Sequence, residues 1–122
     1  MILVDTSVWI DHLHRGDALL IDYLGRDDVG SHPFVIEELG LGSIKDRPAV
    51  LGALAALRQF RAVSHAEVMA LTDAHRLWGR GLSAVDAHIL GSVLIEPGAQ
   101  LWTRDKRLRQ AARDAGAGVI DS

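Results

Sequence analysis

The sequence predicts an α/β protein built on a parallel sheet, and three observations carry that prediction. Ile2, Leu3 and Val4 are consecutive apolar residues, the pattern of a strand covered on both faces by helices. Ala99 to Thr103 (Ala-Gln-Leu-Trp-Thr) repeats the pattern near the other end of the chain. Between them the segments carry helix starts and stops rather than the alternation of half-exposed strands. With 122 residues, 48% of them hydrophobic and 24% charged, the chain is expected to form one domain, residues 1–122, with a real core.

Taken in order, Asp5-Thr6-Ser7 follows the first strand and leads into a helix from Val8 to about His14. A second helix runs from Ala18 to Leu24 and is ended by Gly25, the usual residue beyond a helix C-terminus. Val29 to Ser31 is a short strand. Pro33 opens a helix where its missing N–H costs nothing, and the helix stops near Gly40 or Gly42. Ser43 to Pro48 reads as a loop and Ala49 to Leu57 as a helix. Ser64-His65-Ala66-Glu67 has the capping-box form and begins a helix to about Trp78, before Gly79 and Gly81. Ser83 to Asp86 repeats that form ahead of a helix reaching Ile95. After the strand at Ala99 to Thr103, a basic helix spans Lys106 to Ala115, Gly116 ends it, and Val119-Ile120 is a terminal strand.

Several function classes are excluded at this level. The chain has no cysteine, hence no disulfide framework and no thiolate zinc site. No segment approaches the roughly 18 uninterrupted apolar residues of a membrane span, and Met1 to Val4 lacks the basic start of a signal peptide. A cytoplasmic location is expected. His12 and His14 are two apart on a helix and face different ways, and His32, His65, His75 and His88 show no helical pairing, so no histidine metal site is expected. A phosphoacceptor receiver domain needs an Asp near mid-chain, and Ala49 to Val63 contains none. A haloacid-dehalogenase-type phosphatase would carry Asp where Ser7 stands.

Four acids attract chemistry by position. Asp5 lies at the carboxyl end of the first strand, where open α/β sheets bind ligands, although Asp, Thr or Ser there also serves as a helix cap. On a helical wheel from Phe34, Glu38 falls at about 40°, inside the apolar arc, and Glu37 at about 300°, on its edge. An inward Glu38 calls for a cation or metal, whereas a surface Glu with its stem along the helix needs neither. Asp86 sits at the capping-box position yet also in the middle of an apolar stripe. Asp105 follows the Ala99 to Thr103 strand as Asp5 follows the first. If the four converge, they select a hard divalent cation, Mg²⁺ or Mn²⁺, which suits phosphoryl chemistry, and Thr6, Ser7 and Thr103 add hydroxyls around it.

Charge is segregated. The chain carries −3 overall, but Arg104, Lys106, Arg107, Arg109 and Arg113 against Asp105 make +4 locally, which leaves −7 elsewhere. That segment is either a solvated helix face or a contact for RNA phosphates.

In order along nearly the whole chain, Ile2-Leu3-Val4-Asp5-Thr6-Ser7, Glu38-Leu39, Leu82-Ser83 with Asp86, and Trp102-Thr103-Arg104-Asp105 resemble the four signature blocks of the PIN domain. Length and spacing are similar to those of the VapC toxins of bacterial toxin-antitoxin pairs. The resemblance implies a three-layer α/β/α sandwich with a central parallel sheet and Mg²⁺-dependent endoribonuclease activity on structured RNA. It also implies a homodimer and neutralisation by a small VapB-like antitoxin. Residue by residue, it makes Asp5, Glu38, Asp86 and Asp105 the metal-binding acids. Lys106, Arg107 and Leu108 stand where many relatives have an aromatic and a further acid, so the number of ions stays open. In the doublet Glu37-Glu38, the following Leu39 and the wheel both favour Glu38. The rival reading is a catalytically silent PIN-fold module that binds RNA or protein.

Overall fold

The computed structural model describes all 122 residues. The chain runs β1 (Ile2–Val4), α1 (Thr6–Arg15), α2 (Ala18–Gly25), β2 (Val29–Ser31), α3 (Pro33–Leu41), α4 (Arg47–Ala56), β3 (Arg58–Gln59), α5 (His65–His75), α6 (Ala84–Ile95), β4 (Gln100–Trp102), α7 (Lys106–Asp114) and β5 (Gly118–Val119). The five strands form one sheet in the order β3-β2-β1-β4-β5, and every pairing is parallel. Ile2, Leu3 and Val4 are all buried, as a central strand covered on both faces requires. No helix is long and apolar enough to cross a membrane.

The strand order decides where the helices go. From β1 the chain steps outward to β2 and β3, then returns past β1 to β4 and continues outward to β5. Parallel crossovers are right-handed almost without exception, so reversing the direction of travel moves the connecting helices to the opposite face. The contacts follow: α1, α3 and α4 pack in one group and α5, α6 and α7 in another, which gives three layers. The switch point lies between β1 and β4, whose registers pair Val4 with Trp102. The crevice beyond those two strand ends is where an open sheet of this kind binds its ligand.

Some boundaries differ from the sequence expectation for local reasons. β3 was not expected at all: Arg58 and Gln59 are two exposed polar residues on the sheet edge, with no apolar pattern to announce them. α4 begins at Arg47, ahead of Pro48, because proline is tolerated throughout the first turn. α5 ends at His75 rather than near Trp78, since Arg76 takes the left-handed conformation that usually falls to glycine, at φ 53°. α1 starts at Thr6, two residues early, and β5 is Gly118–Val119. Both expected capping boxes form, Ser64 with Glu67 and Ser83 with Asp86. At the centre of β2, a Cβ on Gly30 would sit 2.5 Å from the Phe60 ring, so this strand passes where only glycine fits.

One buried polar chain ties the layers together. His32 caps α3, its Nδ1 accepting from the Phe34 N–H at 3.0 Å. The proton is therefore on Nε2, which donates to Ser92 Oγ of α6 at 2.9 Å, and Ser92 donates in turn to the Arg61 carbonyl at 2.7 Å. Burial of the fully enclosed ring, helped by nearby His88, lowers its pKa from 6.5 to about 4. The unfolded chain then takes up this proton first as pH falls, so stability drops between pH 6.5 and 4. The expected loss is about 3 kcal/mol from this group. Urea melts across that window should show a shallower decline in a His32→Asn variant than in the parent, and parallel curves would count against the assignment.

Candidate active site

Asp5 sits where β1 hands over to α1. Its backbone N–H donates to the Trp102 carbonyl at 2.8 Å, which fixes it against the end of β4. By position it is the N-cap of α1, yet its side chain makes no capping bond. Instead its Oδ2 accepts from Thr103 Oγ1 at 2.7 Å and from Ser7 Oγ at 3.0 Å. Those hydroxyls are themselves held: Thr103 Oγ1 accepts from the Asp105 N–H and Ser7 Oγ from the Arg104 N–H. Asp5 as a whole is only 7% exposed. Burial raises its pKa above the usual carboxylate value, the Thr103 and Ser7 hydroxyls pull it back, and the charge of Asp86 adds to the rise. A buried carboxyl with no cation beside it and a second carboxyl close by is an arrangement that fold stability alone does not explain.

The other three acids border this centre differently. Asp86, half-buried, accepts from the Ser83 N–H through Oδ2 at 3.0 Å, so it caps α6 with one oxygen and keeps the other. Asp105 caps α7: its Oδ1 accepts from the Arg107 and Leu108 N–H groups, and Oδ2 is left over. Glu38 accepts at 2.7 Å from the hydroxyl of Thr6, which joins α3 to the first residue of α1. The apolar-arc expectation for Glu38 needs correction. α3 buries Val35 and Leu39, and Glu38 is exposed beside them, turned toward Thr6 rather than into the core. Glu37 is exposed too, and makes no side-chain bond of this kind. Nor do the acids converge into a cage: no three acids or histidines stand close enough to grip an ion by themselves. Capping holds Asp86 and Asp105 back, and Thr6 holds Glu38.

The hydroxyls expected around an ion are thus bonded to acids. Thr6 serves Glu38, while Ser7 and Thr103 serve Asp5. An all-oxygen donor set still fits a hard cation. Mg²⁺ needs only one or two protein carboxylates because it keeps most of its waters, and Asp5 with Asp86 supply that number.

The basic segment is not one free face, contrary to the reading of its five cations as a single contact surface. Arg104 is clamped by Asp11 at 3.2 Å and Asp17 at 2.7 Å, donates to the Ser122 carbonyl, and lies over the Trp102 ring. Arg109 donates to the Thr103 carbonyl at 2.8 Å, and Arg113 pairs with Asp121. Lys106 and Arg107 remain exposed without an acidic partner. The Arg104 clamp has no local signal in the sequence, because its two acids lie more than eighty residues away, Asp11 on α1 and Asp17 at the N-cap of α2.

Fold and site together define a parallel α/β protein with an acidic, hydroxyl-lined centre at its switch point. The family model of the PIN domain matches residues 2–114. Over 121 residues the chain is 59% identical to Ribonuclease VapC32 of Mycobacterium tuberculosis, strain CDC 1551 / Oshkosh, covering 99% of this chain and 98% of that one. The match to Ribonuclease VapC32 of strain ATCC 25618 / H37Rv has the same identity and coverage. In fold it resembles the crystal structure of FitAcB from Neisseria gonorrhoeae, with a TM-score of 0.63 at 19% identity over 99% of this chain and 97% of that one. The structure of FitAB bound to an IR36 DNA fragment gives a TM-score of 0.62 at 16% identity, over 98% and 94%. The chain belongs to the PIN-domain family and, within it, stands with the VapC proteins.

Asp5→Asn removes a charge that burial and Asp86 both disfavour, while the amide oxygen still accepts from Thr103 and Ser7. Because folding raises the Asp5 pKa, the folded state holds that proton more tightly than the unfolded chain, and stability falls as pH rises past the ordinary carboxylate range. In metal-free buffer at neutral pH the variant should therefore melt at or above the parent temperature. A clear drop in Tm would show that the Asp5 charge stabilises the fold.

Proposed function

We propose that this chain is a Mg²⁺-dependent endoribonuclease that cleaves structured RNA in the cytoplasm, and the toxin of a VapBC-type toxin-antitoxin pair. The observation that carries this reading is the buried Asp5 carboxyl, oriented by Thr103 and Ser7 and within reach of the charge of Asp86, with no cation of the protein paired to it. Such a pair favours an added divalent ion, Mg²⁺ or Mn²⁺, held by Asp5 and Asp86, with Glu38 and Asp105 at the border reaching it through water. When bound, such an ion supplies Lewis-acid stabilisation of the charge that develops on a phosphodiester. The residues of the chain do the positioning. Thr103 and Ser7 hold the Asp5 carboxylate in one rotamer, the capping bond of Ser83 holds Asp86, and Thr6 holds Glu38. Lys106 and Arg107, unpaired, attract phosphates that the acids alone would repel.

The name of the 59% identical relatives, Ribonuclease VapC32, supports the ribonuclease assignment and a small VapB-like antitoxin as partner. Apolar surface for a partner exists between α1 and α4, where Ile10 and Leu13, 40% and 37% exposed, edge a trough of about 500 Å³ with Ile44 and Val50. A homodimer belongs to the same reading. The rival, a silent RNA- or protein-binding module, draws on the absence of a ready three-ligand cage.

Cleavage of total RNA by the purified protein with and without Mg²⁺ or Mn²⁺ separates the two. Cutting that requires the ion, and that Asp5→Asn and Asp86→Asn each reduce at least a hundredfold, is the expected result, since losing a key electrostatic group costs about 10²–10³ in rate. A parent protein that cuts nothing with either ion leaves the silent module. Calorimetric Mn²⁺ titration tests the glutamate doublet: Glu38→Gln should weaken binding and Glu37→Gln should leave it nearly intact. A larger loss for Glu37→Gln would remove Glu38 from the site.

A further inference from the structure

Of the three tryptophans, Trp9 and Trp102 are core residues at 6% and 0% exposure, while Trp78 stands 63% exposed on the loop between α5 and α6. Nothing in the packing of the core requires it there, since Leu77 beside it, 5% exposed, already anchors the loop. The loop is set by backbone geometry: Arg76, Gly79 and Gly81 all adopt positive φ, at 53°, 71° and 78°. This fixes Trp78 against the first turn of α6, across a cleft of about 180 Å³ lined also by Gly81, Ser83 and Ala87. Ser83 is the capping partner of Asp86, and Ala87 follows it, so the cleft lies within the same first turn of α6 that carries Asp86. It is smaller than the roughly 300–1,000 Å³ of sites that enclose a whole small molecule. It fits the edge of one flat ring.

The surroundings are cationic. The Arg107 guanidinium lies on Gly81, where an added Cβ would come within 2.7 Å of it, and it pairs with no acid. Lys106 and Arg76 are exposed and unpaired as well. An exposed aromatic face beside unpaired cations is the composition of a single-stranded nucleic-acid platform, in which bases stack on the ring and phosphates meet the charges. Leu82, Ala84 and Ala87 give the cleft an apolar floor that suits the flat face of a base, and the unpaired Arg107 at its edge favours a phosphate-bearing ligand over an apolar protein segment.

We infer that Trp78 is a substrate-binding residue that stacks on an unpaired RNA base next to the phosphate held at the acidic centre, with Arg107 contacting the backbone between them. This rests on the ribonuclease reading above and assigns the base contact of that site to one residue. A duplex keeps its bases in the stack and cannot offer that face.

The test is binding of a short single-stranded oligoribonucleotide of mixed sequence, and of its duplex, to the full chain in EDTA, read by anisotropy. The parent should prefer the single strand, and its tryptophan fluorescence should be quenched, since the other two indoles are buried. Trp78→Ala should weaken binding roughly 5- to 150-fold, the fold-change of losing one base stack. Trp78→Leu should match it, Trp78→Phe should retain most of the affinity, and light scattering should give all four proteins the same mass. Equal affinity in Trp78→Ala, rescue by leucine, or affinity lost together with a change of mass each overturns the inference, the last by making Trp78 an assembly contact. If the parent cleaves RNA and Trp78→Ala binds like it, only this inference fails. If the parent neither binds nor cleaves RNA, the ribonuclease reading fails and this one with it.

Discussion

Thr103 donates its hydroxyl proton to Asp5 across the gap between the ends of β1 and β4, and the rest of the site takes its shape from that bond. The two residues are brought together by the reversal of the sheet, which places strands far apart in sequence side by side. Here the connecting helices leave for opposite faces and open a crevice. A carboxyl at that point has neither a helix over it nor full access to water. The hydroxyls of Thr103 and Ser7 are neutral donors, so they orient Asp5 without cancelling its charge. A lysine or arginine in their place would hold the carboxylate equally well and leave no demand for an outside cation.

The same logic explains why Arg104, next in sequence to Thr103, is kept away. Its guanidinium turns toward Asp11, Asp17 and the Ser122 carbonyl, and stacks over Trp102. Asp17 also caps α2 by accepting from the Leu20 N–H, the largest cause of its lowered pKa, with Arg104 contributing after it. One arginine thus ties α1, the start of α2, β4 and the C-terminus together, while its backbone N–H still supports Ser7. Positive charge remains at Lys106 and Arg107, one turn along, where it faces solvent.

What was legible in the sequence was local. The unbroken apolar run of β1, the acid after it, and the two Ser-x-x-acid boxes each depend on residues within a few positions of one another, and each forms as read. The three-layer arrangement came from the resemblance to the PIN domain, with the unbroken apolar run of β1 in keeping with helices on both faces. What was not legible depends on distant partners. β3 exists because the edge of β2 recruits Arg58 and Gln59, whose side chains say nothing of it. The wheel for α3 placed Glu38 by angle alone, but exposure depends on what packs opposite, and α3 covers only Val35 and Leu39. Arg104 read as surface charge because its acids lie on α1 and before α2. That the four acids do not close into a ready cluster has a related reason: each has a local structural task that the motif does not reveal.

Those tasks also stabilise the acids within the fold itself. Asp86 and Asp105 each stand at the N-terminus of a helix, where unpaired N–H groups and the helix dipole favour negative charge by about 0.3–1 kcal/mol apiece. Each caps with one oxygen and leaves the other without a hydrogen-bond partner. Capping therefore offsets the mutual repulsion of the acids during folding, before any cation arrives, and fixes the carboxylates by backbone rather than by flexible side-chain partners. Asp5 is the buried one of the four: at the N-terminus of α1 its side chain makes no capping bond, and burial outweighs the hydroxyls and backbone that support its charge. The strain of the site is thereby concentrated on a single buried carboxyl, which is the group with most to gain from a divalent ion and the one whose charge the fold itself least supports.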